Sequence, residues 1–257
     1  MEEHINLLKT AGPRMVPFIK AVTIYFMLVT FDPKGEIWTT ILKCAPIVCL
    51  MFFILLYGFK FTKKSKYCQR ILFGLIFSCV GDALLNVALF PHGMGSFAVA
   101  QAFYISAFGF QPFKPWIAIG LYAFAISFIS LIFHSLDEIL VIGLPIYAFL
   151  LTTMCWRTLA RAGDKPNIIN ILCAIGGILF VISDGIIAVD RFYIKIPNSR
   201  IYIMTTYYAA QFAITLSIVN ERKAENQQTM KSNPNSQLKT GLINSNRISV
   251  NENDKNK

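Results

Sequence analysis

Charge is what this chain has least of: Asp, Glu, Lys and Arg make up 15% of its 257 residues, against about a quarter in a soluble domain. The few charges are clustered, and the long stretches between clusters carry almost none. Histidine is scarcer still, with only His4, His92 and His134, near span ends or in the N-terminal segment. Without an HExxH pattern, paired histidines or a Cys/His cluster, no metal site is expected. No Gly-x-Ser-x-Gly elbow occurs, which argues against a Ser-His-Asp hydrolase, and no glycine-rich phosphate loop is present, so no cofactor is expected. The six cysteines, Cys44, Cys49, Cys68, Cys79, Cys155 and Cys173, contain no CxxC pair. Most lie inside apolar runs and read as small core residues. A cleavable signal pattern is missing, since Met1 to Arg14 is polar and includes Glu2 and Glu3. No Asn-x-Ser/Thr glycosylation acceptor occurs.

What is present is apolar length. Hydrophobic residues make up 55% of the chain, and about twenty in a row span a bilayer as a helix. Eight candidate spans stand out, at about 16–31, 38–59, 70–90, 97–113, 116–133, 139–157, 168–189 and 201–219. The first holds Pro17 and Lys20; the fourth holds Gln101 and Gly109 and ends at Gln111-Pro112. Connections are short, and irregular backbone is not tolerated in contact with lipid. The alternating ten-residue segments of a β-barrel are absent. The expectation is an all-α polytopic membrane bundle of about eight transmembrane helices, forming one domain over 16–219.

The net charge is +10, but the basic residues sit in short loops and the tail, which favours membrane orientation and anionic lipid over nucleic acid. With a cytosolic N-terminus, the cytosolic face receives thirteen loop cations: Lys9, Arg14, Lys60, Lys63, Lys64, Lys66, Arg70, Lys114, Arg157, Arg161, Lys165, Arg222 and Lys223. The other face receives four, Lys34, Arg191, Lys195 and Arg200. Both termini are therefore expected in the cytosol, residues 1–15 as an N-terminal segment and 220–257 as a disordered tail rich in Asn, Gln, Lys and Ser.

An ionisable group inside a membrane costs several kcal/mol and needs a reason. Asp82, in ILFGLIFSCVGDALLNVALF, and Asp184, in ILCAIGGILFVISDGIIAVD, are the two that stand out. Each lies roughly twelve to sixteen residues into its span, about 18–24 Å at 1.5 Å per residue. The two segments resemble each other, each with a Gly, apolar residues including a Phe, and a small residue (Gly81, Ser183) directly before the Asp. This is a sign of a duplicated half. Other polar residues are placed to complete a site. Lys20 and Lys43 lie in the first two spans, Gln101 and Tyr104 share a helix face, as do Tyr208 and Gln211, and Tyr147 follows Pro145. Asn86 sits one turn beyond Asp82.

Two carboxyls in one apolar pocket divide the roles of acid and base, one protonated and the other ionised. That combination suits cleavage of an acetal-like or acid-labile ether bond through an oxocarbenium ion. It equally suits proton or cation transport, and a third reading has the aspartates only locking helices in a lipid-sensing protein.

The stretches GPRMVPFIKAVTIYF, LKCAPIVCL, GLIFSCVGDALL, FAVAQAFYISAFGFQP, GLPIYAFLL, GGILFVISDGIIA and PNSRIYIMTTYYAAQ, in that order over about residues 12 to 219, resemble the YhhN, or lysoplasmalogenase, family of eight-span membrane proteins. Within it the chain looks most like the animal transmembrane protein 86 group. The resemblance implies hydrolysis of the vinyl ether bond of lysoplasmalogens in the endoplasmic reticulum membrane, releasing a fatty aldehyde and a glycerophospho-ethanolamine or -choline. It implies Asp82 and Asp184 as the catalytic pair and places Lys43, Tyr104, Tyr147, Ser183, Tyr208 and Gln211 on recurring polar positions. One departure is visible: Gln101 stands where many members have His in a Phe-x-x-x-His-x-x-Tyr motif. Gln cannot transfer a proton at neutral pH, so the change bears either on activity or on the role of that His, and the intact remainder of the motifs favours the second. The expected partners are a lysophospholipid substrate and membrane lipids. Lys43, with Lys20 as the alternative, is expected to hold the phosphate, and Asp184 to be the acid beside an ionised Asp82. Head-group preference and oligomeric state stay open, a homodimer among the options.

Overall fold

Long apolar runs without strand alternation fold as helices, because a helix satisfies its own backbone. The computed structural model describes residues 2–29, 37–57, 65–136, 138–164 and 166–220, and among these it shows helices and no strand. In chain order they are α1 (Glu2–Val29), α2 (Ile37–Leu56), α3 (Lys66–Asn86), α4 (Phe90–Phe108), α5 (Pro115–Ile132), α6 (Glu138–Asp164), α7 (Ile168–Phe192) and α8 (Ser199–Leu216), with a 3-10 turn at Phe133–Ser135. Met1–Ile218 makes one compact unit. The tail expected over 220–257 lies outside the described residues from 221 onward.

Six stretches, those carrying α2, α3, α5, α6, α7 and α8, are long and apolar enough to cross a membrane. The other two helices, α1 and α4, are the ones whose sequences are diluted by polar or small residues: Arg14 and Lys20 in α1, and His92, Gly93, Gly95 and Gln101 in α4. Side chains are distributed as lipid demands. Large apolar residues such as Ile37 and Ile139 are exposed (81% and 71%), whereas Asp82, Gln101, Arg157 and Gln211 are buried, at 2% or less. The burial pattern of a soluble domain is the reverse.

Several boundaries move from the sequence expectation. α1 begins at Glu2, so the segment read as a separate N-terminus is helical. α4 begins seven residues before the expected 97, with Pro91 in its first turn and Gly109, at φ +67°, ending it. Gly93 and Gly81 serve the packing of α4 on α3: a Cβ on Gly93 would lie 3.2 Å from the carbonyl oxygen of Gly81, and one on Gly81 would lie 2.7 Å from the Phe97 ring. Small residues let α3 and α4 approach this closely. α6 extends to Asp164, and the α4–α5 connection is tied to it: buried Arg157 donates to the carbonyls of Gly109 (2.5 Å) and Pro112 (2.9 Å), and Trp156 Nε1 donates to that of Lys114 (2.8 Å). Asn167 caps α7 by accepting from the Asn170 amide at 2.8 Å.

The order of neighbours repeats. α1 packs on α2, α2 on α3 and α3 on α4; then α5 packs on α6, α6 on α7 and α7 on α8. Across the halves α4 meets α6, and α2 meets α8. α3, which carries Asp82, therefore corresponds to α7, which carries Asp184. This is the relation expected of a parallel internal repeat.

Candidate functional site

Between the halves lies a cavity of about 240 Å³ whose wall includes both aspartates, with Lys43, Tyr147, Thr152, Ser183 and Tyr207 among its other polar residues. The rest of the wall is almost entirely apolar, Phe124, Phe128, Leu144 and Leu151 among it. Two carboxyls in one apolar chamber is the arrangement the sequence pointed to.

Their surroundings differ. Lys43 Nζ lies 3.2 Å from Asp82 Oδ1, with side chains 13% and 3% exposed. The same ammonium reaches the backbone oxygen of Asp82 at 3.4 Å. The Tyr207 hydroxyl donates to Asp82 Oδ2 at 2.7 Å, and Tyr208 donates to the backbone oxygen of Lys43 at 2.8 Å, fixing the helix turn that carries the lysine. Asp82 thus has a cation on one oxygen and a phenol on the other, which is what an ionised carboxylate requires in a dry interior. Asp184 accepts a hydrogen bond at Oδ2 from the Tyr147 hydroxyl, and among the described residues no cation pairs with it.

The contrast comes from the partners that the neighbouring helices supply. Each aspartate receives a partner from the preceding helix, Lys43 on α2 for Asp82 and Tyr147 on α6 for Asp184. On the helix that follows, Tyr207-x-x-x-Gln211 in α8 matches Phe97-x-x-x-Gln101 in α4. Where the second half supplies a phenol to Asp82, the first half has Phe97, which offers no donor and packs edge-on to Tyr207 with centroids 5.9 Å apart.

The remaining expected residues divide into wall and support. Ser183 lines the cavity and donates to the carbonyl of Ile203 at 3.1 Å, tying α7 to α8. Tyr104 and Gln211 lie outside the cavity wall, joined by a 2.8 Å hydrogen bond from the tyrosine to Oε1. Gln101 is fully buried in α4, and neither atom of its amide makes a hydrogen bond of ordinary geometry. Asn86 turns away from Asp82 to donate to Thr39 (3.1 Å) and Thr40 (2.7 Å), stapling α3 to α2. Lys20 is exposed on α1 and is not part of the wall. Sequence reasoning missed Tyr207. It paired Gln211 with Tyr208 at a spacing of three, although Tyr207 at a spacing of four shares a helix face equally well.

A family model described as the YhhN family matches residues 38–218. The human protein named Lysoplasmalogenase TMEM86A is 36% identical over 231 residues, which is 87% of this chain and 95% of that protein. Its bovine counterpart is 35% identical over the same span and the same shares. The human protein named Lysoplasmalogenase TMEM86B is 35% identical over 202 residues, 78% of this chain and 84% of that one. No solved structure matches.

Proposed function

Because the chain belongs to the YhhN family, we propose that it is a membrane hydrolase that cleaves the vinyl ether bond of lysoplasmalogens, with Asp184 as the acid and Asp82 as the ionised partner. The products are a fatty aldehyde and a glycerophospho-base. One observation carries the assignment of roles: the two aspartates share a cavity, yet among the described residues a cation pairs with Asp82 and none with Asp184.

The chemistry follows from that asymmetry. Asp184, protonated, gives its proton to the outer vinyl carbon, and the ether oxygen shares the resulting positive charge as an oxocarbenium ion. Asp82 lies against that charge. A carboxylate offers about four lone-pair sites, so Lys43 and Tyr207 leave room for it to hold a water molecule. That water adds to the carbon beside the oxygen, and its surplus proton returns to Asp184. The hemiacetal then collapses: its hydroxyl proton leaves, the carbon–oxygen bond to glycerol breaks, and the glycerol oxygen takes up a proton. Tyr147 orients the acid, and the apolar wall receives the alkenyl chain. The enzyme is an integral membrane protein. We place it in the endoplasmic reticulum membrane, with both termini in the cytosol on the distribution of loop Lys and Arg.

The test is aldehyde release from an alkenyl-glycerophosphocholine and an alkenyl-glycerophosphoethanolamine by purified protein in detergent, where no gradient exists. Asp82→Asn and Asp184→Asn should each abolish release while thermal unfolding shows a folded protein. Absence of release by folded wild-type protein on both head groups would overturn the hydrolase reading and favour transport or lipid binding.

A further inference from the structure

A lysolipid brings a phosphate as well as a vinyl ether, and a phosphate next to a membrane interior needs a cation. Among the described residues Lys43 is the one cation in the cavity wall, and it is committed to Asp82 at 3.2 Å. A second cation stands beside the cavity, on an exposed side chain that touches two residues of its wall. The Arg191 guanidinium lies over the Phe90 ring, 4.0 Å from its centroid, and 5.8 Å from that of Phe192. Both rings line the cavity and pack edge-on to each other at 5.9 Å. No carboxylate pairs with Arg191 among the described residues; the adjacent Asp190 is engaged by Lys195 at 3.7 Å and by the Ile196 amide at 2.8 Å.

The register fits a lysolipid. Arg191 follows Asp184 on α7 by seven residues, so both lie on one helix face about 10.5 Å apart along the axis. Both side chains lean towards the N-terminus of α7, the longer arginine further, so its guanidinium lies nearer the carboxyl than the backbone spacing alone gives. In the substrate, five bonds separate the vinyl ether oxygen from phosphorus, a reach of about 6 Å at the extended-chain rise per bond. A phosphate against the arginine therefore leaves the vinyl group at the aspartate. Arg also suits the task chemically, since its planar fork bonds two phosphate oxygens at once.

We propose that Arg191, held across the wall residues Phe90 and Phe192, binds the phosphate of the lysolipid head group and sets the depth at which the vinyl ether meets Asp184. The proposal rests on the hydrolase reading for its substrate but is tested separately from it. Arg191→Gln should lower kcat/KM on an alkenyl-glycerophosphocholine by about 10- to 100-fold, the loss expected for a charge-assisted hydrogen bond. On 1-O-alkenylglycerol, which lacks the phosphate, it should stay within about twofold of wild type by the same reasoning. Arg191→Lys should recover part of the loss, and Lys195→Gln, at an exposed lysine, should change neither substrate. Equal losses on both substrates, or none on either, would overturn the proposal. A parallel binding titration uses 1-O-alkyl-glycerophosphocholine, a saturated ether with no double bond to protonate. Weaker binding by Arg191→Gln supports the phosphate site even if wild-type protein releases no aldehyde, in which case the hydrolase reading alone falls. Unchanged binding sinks the phosphate site whatever the turnover does.

Discussion

Replacing Lys43 by Met keeps most of the side-chain volume and removes the cation bonded to Asp82. At the observed 3.2 Å, unit charges attract by about 5 kcal/mol with an effective dielectric constant near 20. Removing one partner of a buried pair costs about 3–5 kcal/mol, because the other charge is left uncompensated. For a protein of this size each kcal/mol moves the midpoint by about 2–4 °C, so Lys43→Met should lower Tm by about 6–20 °C. An Asp82 that takes up a proton in response limits the thermal loss and gives up its ionised role, so aldehyde release should vanish in either event. The decisive comparison is the double variant Lys43→Met/Asp82→Asn. A neutral pair has no unmatched charge, and its Tm should return most of the way to wild type while activity stays absent. The assay is thermal unfolding in detergent beside aldehyde release. If the double variant loses as much stability as the two single variants added together, the two side chains do not act as a unit, and the ion-pair account is refuted.

Tyr207→Phe removes the donor to Asp82 Oδ2 and should cost about 1.5–3 kcal/mol, the range for a hydrogen bond to a charged group, read as a fall in Tm with activity reduced at least about tenfold. Tyr208→Phe, which loses only a bond to a backbone carbonyl, should cost about 0.5–1.5 kcal/mol and leave kcat nearly intact. Tyr147→Phe keeps the ring and removes the hydroxyl that orients Asp184; kcat should fall by about 10- to 100-fold with KM little changed, and an unaltered kcat would deny Tyr147 that role. Gly81→Ala forces a Cβ to 2.7 Å from Phe97 and 3.2 Å from the Gly93 carbonyl, whereas Gly95→Ala meets nothing within 4 Å. The first should cost about 1–3 kcal/mol and the second should be neutral or stabilising, a contrast that thermal unfolding resolves directly.

The helices were legible because lipid leaves few options: an apolar run of twenty residues has one backbone solution. The aspartates were legible for the same reason, since a carboxyl in such a run is out of place unless something answers it. What answers it was harder to read. Lys43 looked like a phosphate ligand because its sequence neighbours say nothing about α3, and its pairing with Asp82 appears only when α2 and α3 are packed together. Asn86 looked like a support for Asp82 because one helical turn separates them, but its amide is claimed by Thr39 and Thr40 across the helix contact. Tyr207 was hidden by its neighbour, two tyrosines in a row presenting equally good faces to any periodic reading. The early start of α4 was missed because a glycine such as Gly93 carries the same sequence signature whether it makes a loop or a close helix contact.

The repeated neighbour order has an evolutionary consequence. Two copies of one four-helix unit would begin with like carboxyls in like settings, sharing one proton with neither fixed as the acid. In this chain four side chains break the equivalence: Lys43 against Tyr147, and Tyr207 against Phe97. None of them moves either aspartate. On the proposed roles, the repeated helix order sets where the carboxyls stand, and their differing partners set which of them holds the proton. An engineered exchange of Lys43 and Tyr147 would be expected to hand the acid's role from α7 to α3 within an unchanged scaffold.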